Sequence, residues 1–136
     1  MKEIVVVTGA SSGIGQECVR KLAGAGYEVI AGMRKEKDAE QWRAVKGVTP
    51  VLLDVTQAES IRSAVEQLRP QLEKKRVHLL NNAGIAVFKP LLETSFDDWT
   101  RVLAVTLSGP FLCTQACARH MLNNGGTAGS SAPCSL

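Results

Sequence analysis

An α/β fold, a doubly wound parallel sheet with helices on both faces, is what this sequence predicts, and three observations predict it. Short runs rich in Val, Ile and Leu recur at residues 4–7, 27–31, 48–53 and 77–80, with helical periodicity between them. The first run is continuous β-branched residues without alternation, the pattern of a strand buried on both faces. A glycine-rich turn then leads into a helix and a second strand, which makes a βαβ unit with a right-handed crossover.

That turn is Thr8-Gly9-Ala10-Ser11-Ser12-Gly13-Ile14-Gly15. Glycine permits positive φ and lets a ligand approach the backbone closely. A helix that starts here points its free N–H groups and positive dipole end at an anion, as the pyrophosphate of a dinucleotide requires. Gly9, Ser11, Ser12, Gly13, Ile14 and Gly15 are the candidate ligands, and Ser11 or Ser12 is expected to cap the helix. Ile14, Cys18, Val19 and Leu22 give that helix one apolar face, and Gly24 and Gly26 stop it.

The residues after the second strand bear on cofactor choice. An acid about 20 positions past the glycine turn suits a ribose 2′-hydroxyl, whereas arginine suits a 2′-phosphate. Here Gly32 and Met33 end the strand and Arg34 and Lys35 follow, so NADP(H) is favoured over NAD(H). Asp38 is expected to cap a short helix reaching Lys46, with Trp42 and Val45 packed inward. The third strand closes on Asp54-Val55. Thr56 and Glu59 stand at capping-box spacing, and Ile61, Ala64, Val65 and Leu68 continue a helix in which Pro70 predicts a kink or break.

The fourth strand runs into Asn81-Asn82-Ala83-Gly84, with His78 read as a hydrogen-bonded or strand-edge residue. Ser95 and Asp98 predict another cap, and one long helix over residues 96–122 is expected to bend at Gly109-Pro110. Residues 123–136 lose all apolar period and read as a loop-like or disordered tail. Residues 1–122 form the one domain that a chain of 136 residues predicts.

Composition excludes several function classes. The net charge of +3 is mild, and the run Lys74-Lys75-Arg76 has no interleaved aromatics, so it reads as a solvated helix end rather than a nucleic-acid surface. No apolar run approaches the ~18 residues of a membrane span. Residues 1–3 pass directly into a strand, so no signal peptide is expected, and a cytoplasmic location follows. Four cysteines at 18, 113, 117 and 134 contain no C-x-x-C pair, and no metal site is expected.

Four motifs in order resemble the short-chain dehydrogenase/reductase family over about residues 3–122. They are T-G-A-S-S-G-I-G, L-D-V at Asp54, N-N-A-G at Asn81 to Gly84, and the segment around G-P-F-L-C-T-Q-A. The resemblance implies a Rossmann-like sheet of strand order 3-2-1-4, truncated after the fourth strand and fourth main helix. It implies that Asp54 and Val55 contact adenine, and that Asn81, Ala83 and Gly84 lie beside the cofactor. It also implies hydride transfer at nicotinamide, assisted by a Tyr-x-x-x-Lys pair.

That pair is absent. The sole tyrosine, Tyr27, is followed four positions later by Ala31 and begins its strand at the wrong edge of the sheet. Thr106 stands where the family carries a helix-four asparagine. No catalytic residue is therefore assigned. The expectation is an NADP(H)-binding portion of an oxidoreductase without turnover as the chain stands. The alternative is an active NADP-dependent carbonyl or alcohol oxidoreductase whose C-terminal part is missing from this sequence or supplied by another chain. Self-association is expected through the exposed fourth strand or fourth helix.

Overall fold

Four parallel strands form one sheet in the order β3-β2-β1-β4, as the family topology implied. They are β1 (Glu3–Val7), β2 (Glu28–Met33), β3 (Val48–Leu52) and β4 (Arg76–Leu80). The computed structural model describes residues 3–123, so the expected tail lies outside the described residues apart from Asn123, which ends a helix. The helices are α1 (Gly13–Gly24), α2 (Glu36–Arg43), α3 (Ala58–Leu72), α4 (Phe96–Leu103) and α5 (Gly109–Asn123).

Strand β1 is central, and its four apolar residues are buried because both sheet faces are covered. Ile4 and Val6, with Ile30, Val51 and Val77, face α3 and α5. Val5 and Val7, with Val29, Ala31 and Met33, face α1 and α2. Residues i and i+2 of a strand share a face, so one continuous run supplies both cores. Trp42 is the bulkiest fully buried side chain, and burying it contributes about 3 kcal/mol or more. Ile61, Ala64, Leu68 and Leu72 fall on one stripe of α3, as their spacing requires.

Several local expectations fail for identifiable reasons. Asp38 does not cap α2; the helix starts earlier, after Lys35, and Asp38 lies in its first turn. Thr56 does not cap α3 either. The Asp54 carboxylate takes both its N–H (2.9 Å) and its hydroxyl (2.7 Å), and Gln57 becomes the uncapped first position. Pro70 does not break α3, which continues through it to Leu72. Pro70 is exposed and near the helix end, where the carbonyl it orphans faces solvent.

The long C-terminal helix departs from regularity one turn before the expected bend. A π-helical turn, Ala104–Ser108, joins α4 to α5, and the Gly109 N–H donates to the Ala104 carbonyl. Pro110 cannot donate to Thr106, and widening the preceding turn absorbs that missing bond. Gly109 also packs on Val55, since a Cβ there would stand 2.7 Å from Val55 Cγ2. The Ser95 cap forms as expected and is reciprocal: the Asp98 N–H donates to Ser95 Oγ (3.0 Å) and the Ser95 N–H to Asp98 Oδ2 (3.2 Å).

The basic run is more engaged than a solvated helix end. Lys75 pairs with Glu28 at 2.7 Å and Arg76 with Glu3 at 3.2 Å, tying β4 to β2 and β1 at the N-terminal edge of the sheet. His78 meets Glu3 at 3.2 Å on the exposed side of β4, the strand-edge role its position predicts. Beyond β4 no strand follows among the described residues. No helix among them is long and apolar enough to cross a membrane.

Candidate functional site

Parallel strands end on one side of the sheet, so their four following loops share one edge. The glycine turn follows β1, Arg34 and Lys35 follow β2, Asp54 follows β3, and Asn81 to Gly84 follow β4. Ligands in such sheets bind outside the carboxyl ends, where helices leave the sheet in opposite directions.

The first and fourth loops are fastened by Thr8 and Asn82. Thr8 is 1% exposed, and its Oγ1 accepts the N–H groups of Asn82 and Ala83, each at 3.0 Å. In return Asn82 Nδ2 donates to the carbonyls of Thr8 (3.0 Å) and Gly9 (3.1 Å). The two chains are so close that a Cβ on Gly9 would lie 2.8 Å from Ala83 Cα. Gly9 also has φ +68°, a conformation that favours glycine.

The turn itself is held from beneath. The Ala10 N–H donates to the Gly32 carbonyl at 2.9 Å. From α2, Trp42 Nε1 donates to the Ala10 carbonyl (3.3 Å) and Gln41 Nε2 to the Ser11 carbonyl (3.1 Å). Above it, Gly13 has φ +58° and open space where a Cβ would stand. Ser12 occupies the N-cap position of α1 but accepts no cap bond, contrary to the expected serine cap. The positive φ at Gly13 turns the chain away from the geometry that brings a cap oxygen over the helix amides. The first N–H groups of α1, which have no intrahelical acceptor, are left without a side-chain cap. The open backbone cradle fits a phosphate.

Arg34 and Lys35 are exposed, and neither pairs with a carboxylate among the described residues. The nearest acid in sequence, Glu36, is instead bonded to Arg43, which also reaches Glu40 at 3.0 Å. The cationic pair, at the same sheet edge as the turn, therefore has no carboxylate partner among the described residues. Asp54 is half-buried, with Oδ1 committed to Thr56 and its own N–H donated to Ser60 Oγ at 2.9 Å. The Val55 side chain turns into the core, and Asn81 reaches Thr114 Oγ1 on α5 at 3.0 Å. Ile14 is 68% exposed at the mouth of the turn. Gly84 is exposed near Thr106, whose hydroxyl donates to the Val102 carbonyl at 2.6 Å.

Sequence reasoning placed Thr8 and Asn82 within their motifs without giving either a bonding role, and missed Gln41 and Trp42 as builders of this site. A threonine directly after four buried apolar strand residues was a readable signal. The bonds from α2 had none, because Gln41 and Ser11 are 30 residues apart. A separate void of about 60 Å³ lies under α3 and α5, lined by Val6, Leu68, Leu79, Cys113 and Ala116 among others. Burial pushes the thiols of Cys113 and Cys117 up to about 11 and about 12, so both stay protonated at neutral pH.

Residues 3–130 match the model of the short chain dehydrogenase family. The meso-2,3-butanediol dehydrogenase of Serratia marcescens is 33% identical over 127 residues, covering 91% of this chain and 50% of that protein. The crystal structure of a gluconate 5-dehydrogenase from Burkholderia cenocepacia, in complex with NADP and tartrate, is 30% identical with a TM-score of 0.82. That match covers 92% of this chain and 51% of the other. A 4-hydroxyisoleucine dehydrogenase complexed with NADH is 26% identical with a TM-score of 0.78, covering 92% and 52%. The chain spans about half the length of the curated relatives it matches.

Proposed function

The chain belongs to the short chain dehydrogenase family, and we propose that these residues are the cofactor-binding half of a cytoplasmic oxidoreductase selective for NADP(H). The observation that carries this reading is the open glycine turn beside Arg34 and Lys35, which have no carboxylate partner among the described residues. Gly9, Ser11, Ser12, Gly13, Ile14 and Gly15 would hold the pyrophosphate, and Arg34 and Lys35 the 2′-phosphate. Asp54 and Val55 would flank the adenine, with Asn81, Ala83 and Gly84 beside the rest of the dinucleotide. Bound there, the cofactor supplies or accepts a hydride.

Carbonyl reduction also needs a proton donor within hydrogen-bond reach of the substrate oxygen. Tyr27 precedes β2, at the sheet edge opposite the glycine turn, and does not suit that role. These residues therefore bind cofactor without turnover by themselves. The edge of β4, unpaired among the described residues, supports a second reading, in which a further segment completes the active site. The same edge, or the outer face of α4, the π-helical turn and α5 with Trp99, Leu107 and Phe111 exposed, would mediate self-association.

Titration calorimetry of the purified chain with NADPH and NADH tests the cofactor reading. Charge-assisted bonds to the 2′-phosphate predict NADPH bound about tenfold tighter or more. Equal affinities would remove the argument from Arg34. A panel of ketones and aldehydes should show no NADPH oxidation above background, and turnover on any of them would sink the reading that the chain is inactive alone.

A further inference from the structure

The carbonyls of Ala10 and Ser11 are bound from the α2 side by Trp42 Nε1 and Gln41 Nε2. In a planar trans peptide the C=O and the following N–H point in opposite directions. Fixing the Ala10 carbonyl therefore aims the Ser11 N–H away from α2, and fixing the Ser11 carbonyl aims the Ser12 N–H the same way. Trp42 is locked by full burial, with the Arg20 guanidinium 5.4 Å from its ring centroid. Gln41 is half-buried and locked by bonding. Its second amide hydrogen goes to the Asp38 carbonyl at 3.0 Å, and its Oε1 accepts Gln16 Nε2 from α1. One side chain thus joins the glycine turn to both flanking helices, one of which begins just past Arg34 and Lys35.

We propose that Gln41 is a positioning residue that presets the glycine turn for a diphosphate, by holding the Ser11 carbonyl out of the cradle so that the Ser12 N–H faces in. This rests on the cofactor reading above. It adds a residue outside the glycine motif whose effect is confined to the diphosphate end of the ligand. The turn in this arrangement is organised before ligand arrives, and loss of Gln41 lets the Ser11–Ser12 peptide rotate its carbonyl toward the anion.

The test compares NADPH with adenosine 2′-monophosphate, which carries the 2′-phosphate but no diphosphate. Gln41→Leu should weaken NADPH by about three- to tenfold, the net value of the one neutral hydrogen bond that fixes the peptide, and leave adenosine 2′-monophosphate within about twofold of the parent chain. Gln41→Glu keeps the acceptor for Gln16 but sets a carboxylate against the Ser11 carbonyl. It should weaken NADPH further, and it carries the comparison should the leucine variant not fold. NADPH affinity unchanged in both variants would overturn the proposal. A parallel loss for both ligands would also overturn it, since Gln41 would then merely hold α2 in place. If the parent chain binds neither ligand, the cofactor reading itself fails and the proposal with it.

Discussion

Replacing Gly15 with alanine tests the closeness of the two loops at the site. A Cβ there would stand 2.3 Å from the Gly9 carbonyl oxygen and 2.4 Å from Asn82 Nδ2, against ordinary contacts of 3.4 Å or more. The neighbours must therefore give by about 1 Å. One is backbone, and the other is the amide that bonds Thr8 and Gly9. Overpacking of this kind costs about 1–3 kcal/mol, and loosening two hydrogen bonds about 1 kcal/mol each. Alanine's helix preference returns roughly 1 kcal/mol. The net is a loss of about 2–4 kcal/mol, or a melting temperature lower by roughly 8–15 °C for a domain of this size. Gly24→Ala is the control, because nothing lies within 4 Å of its Cβ position and its φ is ordinary. It should raise stability by about 0.5–1 kcal/mol. Thermal unfolding followed by circular dichroism reads both. A Gly15→Ala chain melting within about 2 °C of the parent would refute the reasoning.

Two further perturbations concern the pairs that fix the loops. Thr8→Val keeps shape but strips the acceptor from two N–H groups beside a buried position, and should destabilise by about 2–4 kcal/mol. Thr8→Ser should recover most of that loss in urea titrations; no recovery would show that the methyl group, not the hydroxyl, matters. The Lys89 ammonium, with the Ser95 cap, lowers the Asp98 carboxyl to about 2 from an ordinary 3.8. A depressed carboxylate stabilises above its unfolded pKa, and the contribution is lost as pH falls through the folded value. The melting-temperature gap between the parent and Asp98→Asn should hold above about pH 5 and close between about pH 4 and 2. A gap that persists at pH 2 contradicts this.

What the sequence made legible was whatever one residue and its near neighbours decide. Buried strands announce themselves because a central strand has no polar face to show. The Ser95 cap was readable because cap and N3 residue need only each other. Thr56 carried the same kind of signal and failed, because Asp54, two residues away, offered its hydroxyl a stronger acceptor. The glycine spacing was equally visible, but its tightness was not. That tightness belongs to Asn82, and no local pattern connects residue 82 to residue 8. Arg34 and Lys35 could be read as cations. That Arg43 engages Glu36 and leaves them uncompensated required the helix to be in place.

The bond between Thr8 and Asn82 spans 74 residues, and that separation sets an order of events. Bringing such distant positions together carries roughly 4 kcal/mol of loop-closure entropy. Nearer pairings, such as Ala10 with Gly32 between β1 and β2, close smaller loops first. The glycine turn is thus written early in the chain but is complete only where β4 stands beside β1. An anion that binds only the completed turn contributes about 2.7 kcal/mol at a hundredfold excess over its dissociation constant. A ligand held across these two loops would therefore also be a fastener, and the stability of the folded sheet would rise with its concentration.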